Sequence, residues 1–251
     1  MASLDVEILL APNPGPMTLE GTNTYLVGRD PAIVIDPGPA VRGHIEAVRA
    51  AAGERGGIGD VLLTHSHEDH IGGVPLLGVE PTVLGEGESA GPLTCLLTPG
   101  HTTDSRSFLA APGREAEEAA PDAGKVLFSG DLILGHGSTI VPPADQGGSL
   151  HDYMASLRRV QGLDLELIHP GHGSAITDPA AKIAEYIEHR ESRQRRLVAA
   201  LERGERSRLA LLGEVWDDVP AELLPAAAFA MQAHLEELER LGVISARDLA
   251  E

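Results

Sequence analysis

Short apolar runs rich in Val, Ile and Leu, each broken off by Gly, Pro or a polar residue, recur through the first two thirds of the chain. They lie at Val6 to Leu10, Thr24 to Val27, Ala32 to Ile35, Val61 to Leu63, Leu93 to Leu97, Val126 to Phe128 and Leu165 to Ile168, and their length and branching predict strands. Between the last two, Leu150, Tyr153, Met154, Leu157 and Val160 follow the rhythm of one buried helical face and predict a helix over Ser149 to Gln161. After Asp178 the strand pattern largely stops. A helix is predicted from Pro179 to Arg203, with Ile183, Tyr186, Ile187, Leu197, Val198 and Leu201 at helical spacing and Gly204 as its end. Another follows near Arg208 to Trp216, then breaks at Pro220 and Pro225, then a longer helix with Ala228, Met231, Leu235 and Leu238 on one face.

Strands interleaved with helices predict an α/β layered domain over residues 1–200. Residues 201–251 form a second, helical piece too small to be stable alone, which is expected to dock on the first. The stretch from Pro112 to Gly124, with Glu115, Glu117, Glu118 and Asp122, has no apolar period and predicts an exposed, mobile loop.

Composition narrows the class. With 42% apolar and 23% charged residues in 251, the chain has the balance of a globular protein with a substantial core. Cys95 is the one cysteine, so neither an intramolecular disulfide nor a cysteine-based zinc finger can form, and a reducing, cytoplasmic compartment is expected. No basic segment followed by a long apolar one opens the chain, and nowhere do about 18 apolar residues run together, so neither export nor membrane spanning is expected. The net charge of −19 disfavours non-specific attraction to nucleic acid or anionic lipid.

Histidine carries the chemistry. Of 11 in the chain, three fall in the run His65-Ser66-His67-Glu68-Asp69-His70, directly after the strand ending at Leu63. That is a strand's carboxyl end, where α/β proteins place ligands. His65 and His67 can converge on one metal, while Asp69 and His70 begin the next turn and can face a second. A mixed imidazole and carboxylate set suits zinc, with iron or manganese also accommodated. Three more strand ends repeat the pattern beside Gly: Gly100-His101, Gly130-Asp131 and Gly171-His172. One histidine after a strand is ordinary, but four such strand ends together point to a shared metal site.

These motifs together resemble the metallo-β-lactamase superfamily, whose pattern is His-x-His-x-Asp-His followed by Gly-His, Gly-Asp and Gly-His. The resemblance covers about residues 6 to 190 and implies an αββα sandwich with the site along one edge of two sheets. It implies that His65, His67 and His101 hold one metal, that Asp69, His70 and His172 hold the other, and that Asp131 bridges them. Two zinc ions per chain would then activate a bridging hydroxide, with Asp69 orienting it and taking its proton as general base. Thr98, Thr102, Asp104 and Ser129 are nearby candidates to fix the imidazoles, although plain loop structure is the favoured role for each. An aspartate where some true β-lactamases of the superfamily use a cysteine argues against antibiotic hydrolysis, and Cys95, inside a strand, reads as a buried thiol.

A narrower resemblance, to the beta-lactamase-like protein 2 group, rests on Gly21 to Val27, on Gly130 to Thr139 and on a C-terminal winged-helix-like piece. It makes Asn23, His136 and Ser138 candidates to line a substrate cleft. Members of that group include an endoribonuclease of single-stranded RNA, and that activity is the leading expectation here. Its support in the residues is a run of Arg190, Arg193, Arg195, Arg196, Arg203, Arg206 and Arg208, for which a solvated helix face with internal ion pairs is the favoured role. Tyr25, Phe108 and Tyr153 are the aromatics available for stacking on bases.

The competing enzyme class is a thioesterase or lactonase on a small acyl substrate, resembling glyoxalase II, which the acidic composition mildly favours. A third class is a nucleic-acid-binding regulator contacting DNA through the tail. The tail's long helix argues against it, with Glu236, Glu237 and Glu239 beside Arg240. Docking or dimerisation suits the tail better, and a homo-oligomer is left open.

Overall fold

The computed structural model describes residues 4–110, 124–245 and 249; the loop expected from Pro112 to Gly124 lies, up to residue 123, outside them. Two sheets stack face to face. The first has the order β1 (Val6–Leu10), β2 (Asn23–Val27), β3 (Ala32–Ile35), β4 (Ile58–Leu62), and the second the order β5 (Ser89–Ala90), β6 (Leu93–Leu97), β7 (Arg106–Ala110), β8 (Lys125–Gly130), β9 (Leu165–Pro170). Neighbours are antiparallel except for the last pair of each sheet, β3 with β4 and β8 with β9. A parallel pair needs a crossover. Helix α1 (Arg42–Gly53) makes the first, and α4 (Leu150–Gln161) makes the second; the short helices α2 (Glu68–Ile71) and α3 (Val74–Leu77) lie between β4 and β5.

The alternation of side chains along each strand explains the layering. Tyr25, Val27, Ile33, Ile35 and Leu62 of the first sheet pack against Leu93, Cys95, Phe108 and Phe128 of the second. The opposite face of the first sheet, with Leu26, Val34 and Val61, is covered by Ile45, Val48 and Ala52 of α1. The opposite face of the second, with Leu96, Leu127 and Ile168, is covered by Tyr153, Leu157 and Val160 of α4 and by Ile183 and Tyr186 of α5 (Pro179–Glu202). Strands buried on both faces read as unbroken apolar runs, which is why β2 and β3 were legible. The result is the expected αββα sandwich.

The sequence pattern overlooks β7, whose Arg106 and Ser107 interrupt the apolar run, and α1, whose buried face is only His44, Ile45, Val48 and Ala52. The expected boundary between residues 200 and 201 falls in the last turn of α5. The far end of that helix, with Leu197, Ala200 and Leu201, joins α6 (Arg208–Val215), Trp216 and α7 (Leu224–Arg240) in a separate apolar cluster. Among the described residues after Glu202 there is no strand to serve as the wing of a winged helix. No helix among the described residues is long and apolar enough to cross a membrane.

Candidate metal centre

Five strands end at one edge of the sandwich. β4 runs out into Thr64, His65 and His67, with Asp69 and His70 in the first turns of α2; β6 leads to His101, β8 to Asp131, β9 to His172 and β3 to Asp36. Glycines make these turns possible by close approach. A Cβ at Gly171 would sit 2.3 Å from Asp131 Oδ1 and 2.8 Å from His70 Cε1. At Gly100, with φ of +134°, it would sit 2.3 Å from the Tyr153 backbone nitrogen.

The donor atoms converge in two groups. In one, the ligand atoms of His65, His67, His101 and Asp131 all lie within 4.8 Å of one another, and so do those of Asp69, His70 and His172 in the other. His67 Nδ1 is 3.0 Å from both His65 Nε2 and His101 Nε2. His172 Nε2 is 3.2 Å from Asp69 Oδ2 and 3.3 Å from His70 Nε2. Asp131 faces both groups, with Oδ1 at 3.4 Å from His70 Nε2, and Oδ2 at 3.5 Å from His172 Nε2 and 3.7 Å from His101 Nε2. Four ligands at about 2.0–2.1 Å from a tetrahedral zinc are about 3.3–3.4 Å apart. The observed spacings bracket that edge, and Asp131 Oδ1, buried with no hydrogen-bond partner, is an oxygen that a cation would satisfy. The seven residues therefore fit a pair of metal ions.

The outward nitrogens fix which way each ring faces. Thr64 has one hydroxyl proton and donates it to Asp36 Oδ2 at 2.6 Å, so it accepts from His65 Nδ1 at 3.0 Å. His70 Nδ1 donates to Asp36 Oδ2 at 2.8 Å, His101 Nδ1 to the Ile140 carbonyl at 2.8 Å, and His172 Nδ1 to the Gly21 carbonyl at 3.0 Å. With Nδ1 the outward donor on all four, each ring in its neutral form would turn the Nε2 lone pair inward, as a metal ligand must.

Charge divides the rings. Burial holds His65 well below its ordinary value and also lowers His101. Burial opposes protonation of His70 too, but facing Asp131 and Asp36 outweigh it and hold that ring well above its ordinary value. His172 is likewise pushed up to about 9, because hydrogen bonds to Asp131 and Asp69 overcome its burial. Asp131, despite burial, is held well below the usual carboxylate range by His70 and His172. The edge sets ionised carboxylates among imidazoles, a donor set suited to a cation.

The structure brings together all seven residues of the sequence motif and separates the others. Asn23 is buried and gives both amide hydrogens to backbone carbonyls, Pro170 at 3.1 Å and Gly173 at 2.8 Å, so it pins the turn carrying His172. His136 is exposed and pairs with Glu20 at 3.1 Å. Ser138 lies on the rim of a cavity, its hydroxyl 3.5 Å from His189 Nδ1. Thr98, Thr102 and Ser129 bond to Ser107, Asp104 and loop carbonyls, and none of them or Asp104 bonds to a ligand ring. Sequence reasoning missed Asp36 and Thr64, although Ile35-Asp36-Pro37-Gly38 has the same strand-end form as the ligands. Asp36 is 2% exposed at a positive φ of 49°, an unusual conformation held by its three hydrogen bonds.

Behind the loop that carries Ser138, a cavity of about 390 Å³ separates it from α5, the Trp216 to Leu223 connection and α7. Met17, Ile140, Tyr186, Trp216, Leu223 and Ala227 supply most of its apolar wall, and Glu185, His189, Arg190, Arg193 and Asp218 its ionisable part.

Residues 17–83 match the profile described as metallo-beta-lactamase superfamily. The chain is 34% identical over 269 residues to a beta-lactamase-like protein 2 homolog of Caenorhabditis elegans, covering 94% of this chain and 84% of that protein. It is 33% identical over 243 residues to an atrochrysone carboxyl ACP thioesterase of Aspergillus fumigatus, covering 87% of this chain and 71% of that protein. It spans 66% of the length of a lactamase-like protein of Aspergillus niger, at 39% identity over 82% of this chain. Among solved structures, a metallo-beta-lactamase family protein from Thermus thermophilus superposes with a TM-score of 0.74 at 22% identity, over 96% of this chain and 95% of the other.

Proposed function

Since the chain belongs to the metallo-β-lactamase superfamily, we propose that it is a dinuclear metal-dependent hydrolase acting on a small acyl ester or thioester. The observation that carries the substrate class is the fate of the arginine run. Arg190 and Arg193 are buried, the first donating to the Thr139 carbonyl and the second gripping Asp218 at 2.6 and 2.9 Å. Arg195 pairs with Glu188 at 2.5 Å, Arg196 with Asp217 at 2.7 Å and Arg203 with Glu214. Arg206 donates to the Leu201 carbonyl at 2.7 Å and Arg208 to Gln232 at 2.5 Å. A track for consecutive phosphates needs cations free to neutralise them. Tyr25, Phe108 and Tyr153 are all buried as well, so none presents a face to a base. The thioesterase among the relatives points the same way.

Metal ions bound at the edge would lower the pKa of water toward neutrality and offset the charge that develops on the substrate. In this reading His65, His67 and His101 hold one, Asp69, His70 and His172 hold the other, and Asp131 faces both. Zinc suits this donor set, with iron or manganese as alternatives. Asp36 and Thr64 hold the rings of His65 and His70 with their lone pairs inward. Asp69, with 27% of its side chain exposed, reaches the solvent side of the site, where its carboxylate orients water and takes a proton.

Single-stranded RNA is kept as the second substrate class by the beta-lactamase-like protein 2 homologs, which cover most of the chain. One comparison separates the two. Metal-loaded protein, with His172→Ala as the control for contaminating activity, is given a panel of acyl thioesters and a single-stranded RNA. Thioester turnover that the variant lacks is expected; RNA cleavage that the variant lacks, with no thioester turnover, rejects the acyl reading.

A further inference from the structure

We propose that the cavity between the Gly137 to Ile140 loop, helix α5, the Trp216 to Leu223 connection and helix α7 is an acyl-chain subsite, taking the apolar body of the substrate while its carbonyl reaches the metal edge. This rests on the acyl-hydrolase reading and adds to it a chain-length preference. At about 390 Å³ the cavity is within the range of about 300–1,000 Å³ that small-ligand sites occupy, and its walls are mainly apolar, with Glu185, His189, Arg190, Arg193 and Asp218 as ionisable groups among them.

Its placement ties it to the site. The loop that forms one wall is also the loop that holds the metal edge: the Ile140 carbonyl accepts from His101, and Thr139 Oγ1 donates to the Asp131 carbonyl at 2.7 Å. Pro16 and Met17 form the rim, on the segment whose Gly21 carbonyl accepts from His172. Arg190 anchors the loop from behind, donating to the Thr139 carbonyl with its guanidinium 5.3 Å from the centre of the Tyr153 ring. That cation is thereby directed at the backbone and is not free for a phosphate chain. Met17 is 53% exposed, as a rim residue that an apolar ligand would cover. On the far side, Ala226, Ala227 and Ala230 of α7 leave room that larger side chains would fill.

Trp216 lines the cavity and is the one tryptophan of the chain, so its fluorescence reports occupancy without any reaction. Metal-loaded protein is titrated with 1-decanol, which has no carboxylate for a metal. Turnover is measured in parallel on acetyl and decanoyl thioesters of N-acetylcysteamine. A saturable change in Trp216 emission and a decanoyl over acetyl preference in kcat/KM of at least tenfold are expected. Ala227→Leu should erase both; Ala226→Phe, at a less buried position, gives the same reading if the first variant folds poorly. Saturable decanol binding without thioester turnover upholds the subsite and defeats the acyl reaction. Equal turnover of both esters with no response of Trp216 overturns the subsite and leaves the hydrolase reading standing.

Discussion

Buried histidines occur in two regions of this molecule, and only at the metal edge do neighbours raise two of them, since His65 and His101 there are lowered by burial just as the helical layer's rings are. At the metal edge, His70 is held well above its ordinary value and His172 is pushed up to about 9, because Asp131, Asp69 and Asp36 face them. In the helical layer, burial together with Arg190 and Arg193 pushes His234 down to about 3, and the same influences lower His189 to about 4. Burial alone disfavours the charged ring in both places. What differs is the sign of the neighbours. A carboxylate-rich edge collects cations, whereas an arginine-rich layer keeps its imidazoles neutral and works as packing: His234 lies edge-on to Trp216 at 5.6 Å and bonds Gln194 at 2.5 Å.

Removing the carboxylate that both metal groups share should erase this contrast most completely. Asp131→Ala is expected to lose bound metal and to lower kcat/KM by about a thousandfold or more, equivalent to several kcal/mol of transition-state stabilisation. Elemental analysis beside turnover checks it, and a variant retaining full metal content refutes the bridging position. Next, Asp36→Asn keeps the shape but removes the charge that orients His70. It should weaken metal affinity or activity by about 10- to 100-fold, measured by competition with a chelator.

Asn23→Ala tests whether the edge is held by structure remote from the metals. It removes the amide donor of the Gly173 carbonyl and leaves Pro170 with the Tyr25 hydroxyl alone, so stability should fall by about 1–3 kcal/mol in denaturant titration, with metal content largely retained. If stability is unchanged and only KM moves, Asn23 is a substrate contact after all. Last, the helical layer has its own pH signature. A neutral His234, depressed from 6.5 to about 3, contributes stability that is fully present above pH 6.5 and lost as pH falls through the folded value. The slope reaches at most about 1.4 kcal/mol per pH unit between those limits. His234→Phe should flatten the pH dependence of the melting temperature across that window, and an unchanged profile assigns the acid sensitivity elsewhere.

Much of this was legible in the chain because strands buried on both faces and glycine-bounded strand ends leave local marks. The seven donors stood in order in motifs that follow strands, and all seven converge. What stayed hidden lacked such marks. β7 carries Arg106 and Ser107 in its run, and α1 buries little more than Ile45 and Val48, so neither shows a strong period. Asp36 had the right form but no histidine to draw attention to it. Asn23 was expected to line a substrate cleft, whereas the bonds its amide makes go to two carbonyls about 150 residues away, which no local pattern reveals.

Element types, the layered class and the identity of the donor set could be read along the chain, since these follow from periodicity over a few residues and from side-chain chemistry. Which nitrogen of each ring faces inward, which histidines carry charge and which arginines are free became visible only in the folded molecule. Those depend on partners such as Asp36 for His70, Ile140 for His101 and Asp218 for Arg193, distant in the chain and adjacent only after folding. Electrostatic and hydrogen-bond energies fall off over a few ångströms, so contacts that sequence spacing does not reveal set the chemistry of the edge and the acidic sum of the chain does not.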